Sequence, residues 1–230
     1  MDMAIRIQKY LSQNGILSRR KAEDYLKKGW LRVNGNIVTE LGTMVNPETD
    51  IVTLSDDAQQ DKETFTTLLF YKPKGVLTNC KQDDDIADEI KELLPEKYRH
   101  LNAIGRLDKD SEGLILLTDN GVIANQFLNA GEIHARIYEV WTAYPITDQQ
   151  VEDLSNGVDI GDYKTQPCDV IQTASRRVQI TLTEGKNRQI RRMVRAVGNR
   201  IHRLRRIEFG PYQLGDLQPG EYRELLNHDS

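Results

Sequence analysis

Four successive aliphatic residues, Leu114-Ile115-Leu116-Leu117, constrain this chain more than any other feature. A strand that is apolar on both faces must be buried on both, so the run belongs inside a sheet. Ahead of it a second short apolar strand, Leu101–Ile104, breaks at Gly105, and Gly113 makes another turn. Between the two glycines lie Arg106, Leu107, Asp108, Lys109, Asp110, Ser111 and Glu112. Charged residues between two buried strands sit on a loop held by a rigid scaffold, where catalytic groups are commonly found. On spacing alone, a solvated Asp-Lys-Asp turn with Arg106 paired to a neighbour is the stronger reading.

The rest of the 230-residue sequence divides readily. In residues 1–56, Ile7, Tyr10 and Leu11 fall at helical spacing and Asn14-Gly15 stops that helix. Ser18 is an N-cap for a second helix, with Ala22, Tyr25 and Leu26 inward and Gly29 at its end. Asn34-Gly35 is a strong hairpin signal between short strands. Residues 57–65 are polar and read as a linker. Residues 66–230 alternate short strands with helices. Expected strands are Leu68–Tyr71, Val76–Asn79, Leu114–Thr118, Ile137–Tyr144 and Val178–Thr183; expected helices are Asp84–Leu94, Asn120–Asn129, Thr147–Leu154 and Asn187–Val197. The strands lack regular crossover helices, so the fold class is α+β with a mixed, mainly antiparallel sheet.

Bulk properties narrow the function. The composition, 38% hydrophobic and 29% charged, is that of a globular chain. No apolar run approaches the roughly 18–20 residues that span a bilayer, and no secretory signal opens the sequence. Cys80 and Cys168 are far apart, which points to structural thiols and a reducing, cytoplasmic setting. The four histidines, at 100, 134, 202 and 228, have no ligand-like spacing, so no metal or other cofactor is expected. The net charge is −4, yet Arg176–Arg206 holds eleven Lys or Arg against Glu184 alone. Asp83–Glu96 reverses this, with seven acids against Lys91. A concentrated basic patch attracts phosphates whatever the net charge.

Within that patch Arg188, Arg191, Arg192 and Arg195 recur at helical spacing on one face, where they repel one another unless something anionic lies against them. Arg19, Arg20 and Lys21 oppose the dipole in the first turn of the second helix, a conflict that a docked phosphate would reverse. A solvated basic face is the plain alternative in both places. Lys72 and Lys74 flank Pro73 on a turn, where they meet phosphate or stay solvated.

Two resemblances sharpen this reading. Ile7 to Glu23, continuing to Gly29 and Val33-Asn34-Gly35, resembles the S4 RNA-binding domain, which implies structured-RNA binding through the two-helix face. Gly105-Arg106-Leu107-Asp108-x-x-Ser111-x-Gly113, with Tyr71-Lys72-Pro73-Lys74-Gly75 before it and Lys186 to Met193 after it, resembles the ribosomal small-subunit-type pseudouridine synthase family. The resemblance covers nearly the whole chain. It implies isomerisation of uridine to pseudouridine in RNA without metal or cofactor, by a monomer.

Residue by residue, the resemblance makes Asp108 the essential aspartate, acting by addition to C1′ or by removal of a C2′ proton. An ionised carboxylate in a water-excluding pocket needs a cation nearby. Arg191 aligns with that partner, with Arg188 as second choice. Tyr138 matches the base-stacking tyrosine, and Arg106 fills the gap left by the flipped uridine. Arg192, Arg195 and Lys186 are expected on the RNA, as are Arg19 and Arg20. Arg136 stands where relatives carry lysine, a planar fork in place of a point charge. The pattern is closest to a large-subunit enzyme, so 23S ribosomal RNA is the expected substrate, with a tRNA as a further candidate. A non-catalytic RNA-binding or ribosome-assembly factor is the first rival. A metal-dependent nuclease is the second, and the sequence lacks the ligand clusters it needs.

Overall fold

The computed structural model describes residues 4–61, 65–79, 89–128 and 134–225. It divides into two compact units, Met1–Thr66 with Thr118–Asn129, and Thr67–Leu117 with Ala130–Ser230.

The first unit opens with β1 (Ile5–Arg6), α1 (Ile7–Gln13) and α2 (Arg19–Lys28). Short strands follow, β2 (Leu31–Val33), β3 (Asn36–Val38), β4 (Met44–Val45) and β5 (Val52–Leu54), then α3 (Asp56–Gln60). Local signals set these elements. The Ser18 hydroxyl accepts from the Lys21 N–H at 3.2 Å, and Gly29 ends α2 at φ 70°. Asn34 and Gly35 take φ of 50° and 81°, the paired left-handed conformation that a two-residue hairpin requires. The Asn34 side chain also accepts from the Ile51 N–H, at 2.9 Å, which ties β2 to the approach of β5. Ile7, Leu11, Tyr25, Leu26 and Leu31 form the core.

The expected linker differs from what forms. Residues 57–60 lie in α3, which Ser55 caps and whose first turn carries Asp56 and Asp57, favourable to the helix dipole. Ala58 is buried, and the Tyr25 hydroxyl donates to Ala58 O (3.3 Å) and to the Asp61 carboxylate (3.0 Å). Polar composition conceals a capped helix. Residues 62–64 lie outside the described set. The unit is completed by α4 (Gly121–Leu128), where Asn125 donates to Ser12 O at 2.7 Å.

The second unit holds β6 (Thr67–Lys72), β7 (Asn102–Ile104), β8 (Glu112–Thr118), β9 (Arg136–Thr142), α5 (Asp148–Asn156), β10 (Asp169–Ala174) and β11 (Arg177–Leu182). It ends with α6 (Gln189–Ala196), β12 (Ile201–Phe209), β13 (Tyr212–Gln213) and β14 (Tyr222–Glu224). The sheet runs β10-β11-β9-β12-β8-β6-β14, with β7 beside β8 and β13 beside β12. β12 pairs antiparallel with β9 and parallel with β8, so the α+β class and the mixed sheet are as expected. Every residue of β8 is buried, as its aliphatic run demands. One core gathers Leu68, Phe70, Leu107 and Ile115; another gathers Val140, Ile180, Met193 and Leu204. Tyr138 packs against both.

Three local expectations change. Val76–Asn79 forms no strand; Leu77 makes one isolated bridge to Glu89. Of the helix expected over Asp84–Leu94, only the end is described, and Ile90–Leu93 is a 3-10 turn. Cys80 lies outside the described residues. Finally, β12 was not among the expected strands, because its arginines hide the alternation.

Gly121 supplies a test of the packing. A Cβ there would lie 2.2 Å from Ser18 Cβ. Gly121→Ala, which on helix propensity alone would stabilise, should therefore destabilise the first unit by about 1–3 kcal/mol. Thermal or urea denaturation would show this; an unchanged or raised midpoint would refute the contact.

Candidate active site

The loop between β7 and β8 is fastened from below by the segment that follows β6. The Gly75 N–H donates to Lys109 O at 2.8 Å. Thr78 is buried, and its hydroxyl donates to Leu107 O (2.9 Å) while accepting from Leu107 N–H (3.1 Å). Lys72 Nζ donates to Ser111 O (2.8 Å) and Pro73 O (2.9 Å). The Ser111 N–H then closes a turn onto Asp108 O at 3.0 Å. These ties explain why Val76–Asn79 is not a strand, since Thr78 spends its side chain on the loop. They also correct the expectation for Lys72. It is fully buried, so it neither meets phosphate nor stays solvated.

At the far end of the loop Gly113 has φ 107°, and a Cβ there would fall 2.2 Å from Arg206 O. β8 can pair with β12 at this point only because the position is glycine.

Two arginines of the α6 region reach the Asp108 carboxylate. Arg188 Nη1 lies 3.5 Å from Asp108 Oδ2, and its Nη2 lies 3.3 Å from Asp110 Oδ2. Arg191 Nε is 3.8 Å from the same Asp108 oxygen, while its Nη2 donates to Asp110 O (3.0 Å) and Ser111 Oγ (3.1 Å). Arg188 is nearer but 45% exposed, whereas Arg191 is 17% exposed and less screened by water. At these separations the guanidinium groups act through charge rather than hydrogen bonds. The Asp108 oxygens thus keep lone pairs for an incoming group. Burial, with the like charge of Arg188, pushes the pKa of Arg191 down, and Asp110 and Asp108 oppose this.

Tyr138, Arg106 and Lys186 line the same cleft as Asp108, Ser111, Arg188 and Arg191. Arg106 and Lys186 are exposed, and Tyr138 is half-buried on β9. Other expected site residues lie elsewhere. Arg192 pairs with Asp162, and its Nη2 donates to Ile160 O at 2.6 Å. The Arg192 guanidinium holds the Asp162 carboxyl below its ordinary value. Arg195 borders a separate cleft with Arg191, Asn199 and Arg200. Arg19 and Arg20 are exposed on α2 in the first unit. The Arg136 fork lies over the Phe209 ring, 5.3 Å from its centroid.

The anions facing the arginine stripe are therefore partly the protein's own, Asp108, Asp110 and Asp162. Further along the basic run, Arg203 pairs with Glu112 and Arg205 with Glu139. Five of its eleven basic residues, Arg188, Arg191, Arg192, Arg203 and Arg205, are thus in ion pairs, so the run is not one uniform phosphate-facing patch. Sequence reading missed Thr78 and the buried role of Lys72, and no local signal marks either. Burial pushes the Cys168 thiol up to about 11.

Comparison with known proteins gives this fold a class, that of the RNA-modifying isomerases. The RNA pseudouridylate synthase family model matches residues 66–196, and the S4 domain model matches residues 5–51. The dual-specificity RNA pseudouridine synthase RluF of Shigella flexneri is 36% identical over 230 residues, spanning 99% of this chain and 78% of that protein. The ribosomal large subunit pseudouridine synthase B of Bacillus subtilis is 32% identical, spanning 97% and 93%. A crystal structure of a pseudouridylate synthase superposes with a TM-score of 0.69 at 27% identity, covering 97% of each chain. The chain belongs to the RNA pseudouridine synthase family, with an S4 domain at its N-terminus. It is an enzyme that pseudouridylates RNA.

Two measurements test the scaffold beneath Asp108. Thr78→Val keeps the shape but leaves the Leu107 N–H and C=O unsatisfied, which should cost about 2–4 kcal/mol of stability and lower turnover. A variant as stable and active as the parent would rule out the clasp. Burial also pushes the Lys72 ammonium from 10.5 down to about 8, with Asp108, Glu112 and Asp110 opposing the shift. Between about 8 and 10.5 the unfolded chain then binds more protons than the folded one, so this group's contribution makes stability rise with pH. The rise should approach roughly 3 kcal/mol. Denaturation of Lys72→Met across that window should lack the increment, and equal slopes in the two proteins would count against it.

Proposed function

We propose that this enzyme isomerises a specific uridine in ribosomal RNA, with Asp108 as the carboxylate that acts on the sugar. The observation that carries this reading is a single cleft lined by Asp108, two guanidinium groups within 4.0 Å of it, and Tyr138. The reaction breaks the C1′–N1 bond and joins C1′ to C5; the C5 proton is lost and N1 gains one, so no redox partner is needed. A carboxylate with unused lone pairs, facing the positive charge of Arg191 and Arg188, suits either addition to C1′ or removal of a C2′ proton. Tyr138 stacks on the turned-out base and Arg106, exposed at the cleft, takes the vacated place in the RNA helix.

Lys186 and Arg195 meet phosphates flanking the uridine, and Arg19 and Arg20 hold structured RNA through the N-terminus of α2. Arg192 joins them only where RNA displaces Asp162. The name of the Bacillus subtilis relative favours a large-subunit ribosomal RNA target, and the dual specificity in the name of the Shigella flexneri relative supports a second RNA substrate, for which a tRNA is our candidate. On the same reading the enzyme works as a cytoplasmic monomer; no described helix is long and apolar enough to cross a membrane.

Asp108→Asn preserves shape and removes charge. Turnover on ribosomal RNA should fall by roughly 10³-fold or more, while RNA affinity stays within about threefold. Pseudouridine mapping on RNA treated with each protein reads the result, and turnover within about tenfold of the parent would sink the assignment.

A further inference from the structure

Arg206 differs from every other arginine of the basic run. It lies on β12 with its side chain in the core, 2% exposed. Its Nε donates to Leu114 O at 2.7 Å, and its guanidinium carbon sits 4.7 Å from the Phe209 ring centroid. Its Nη2 is buried with no hydrogen-bond partner, and among the described residues no carboxylate pairs with it. Leaving a buried cation uncompensated costs several kcal/mol, so such a group calls for a use. Burial lowers its pKa, Arg136 adds to that, and the Tyr138 side chain opposes both. Arg206 and Tyr138 are cross-strand partners in the β12–β9 ladder.

We infer that Arg206 is a positioning residue for Tyr138: fixed by Leu114 and Phe209, its guanidinium is held behind the cleft as a donor to the Tyr138 hydroxyl oxygen. The inference rests on the reading that Tyr138 works in the Asp108 cleft. The arrangement has two consequences. A hydroxyl oxygen that accepts from Arg206 must direct its own proton elsewhere, toward the cleft. Negative charge that builds on that oxygen during proton movement meets a cation already in place, with no reorganisation. An apolar residue at 206 would give up the bond to Leu114 O and provide neither.

The test is a double-mutant cycle on turnover with a ribosomal RNA substrate, using Arg206→Met, Tyr138→Phe and the double variant. If Arg206 acts through the hydroxyl, Arg206→Met should lower kcat by roughly 30-fold, with KM within about twofold. In the Tyr138→Phe background the same change should cost less than about threefold. Arg206→Lys, which keeps the charge, should recover part of kcat when tyrosine is present and nothing when phenylalanine is. Equal losses in both backgrounds would overturn the inference and leave Arg206 a sheet-supporting residue. Should Arg206→Met fail to fold, the cycle is run with Arg206→Lys, and the same comparison of backgrounds decides. A Tyr138→Phe enzyme as fast as the parent would instead refute the placement of Tyr138 in the chemistry, a separate failure.

Discussion

At Gly113 two strands approach so closely that no side chain fits between them, and the second unit is organised around that contact. β8 and β12 run parallel there, whereas β12 meets β9 antiparallel on its other side. Three parts of the cleft are brought together as a result. The Asp108 loop enters β8, Tyr138 stands on β9, and Arg188 and Arg191 belong to the helix that runs directly into β12. Residues far apart in sequence become neighbours through one shared strand. A methyl group at Gly113 would move β8 away from β12, and with it the carboxylate away from its guanidinium partners.

What the sequence disclosed depended on the range of the signal. Ser18, Gly29 and Asn34-Gly35 act on backbone groups within a few residues, so their cap and turn could be read directly. The aliphatic run of β8 placed itself in the interior for the same reason. β12 was concealed because Arg203 and Arg205 find their acids at Glu112 and Glu139, 91 and 66 residues earlier. Their charge made a half-buried strand resemble an exposed basic segment. The cleft was legible as a set of residue types in a family pattern, but not its foundation. Nothing near Thr78 announces that its hydroxyl will serve the backbone of Leu107, and nothing near Lys72 announces that it will be buried.

The same long-range pairing governs the electrostatics. A net charge of −4 and a strongly basic segment coexist because acids from distant elements are folded against the arginines. Charges left exposed, such as Arg106, Lys186 and Arg195, are then set off against a neutralised background. This favours recognition by position over general attraction to polyanions.

Arg188 carries the last consequence. It caps α6 in the left-handed conformation, φ 50°, where glycine or asparagine would be more comfortable, and it brings positive charge to the positive end of a helix. Selection for heat resistance alone would replace it and gain melting temperature, at the expense of the guanidinium that reaches Asp108 and Asp110. A relative adapted to high temperature must therefore find its added stability at other positions, or reach the same two carboxylates with a side chain from elsewhere.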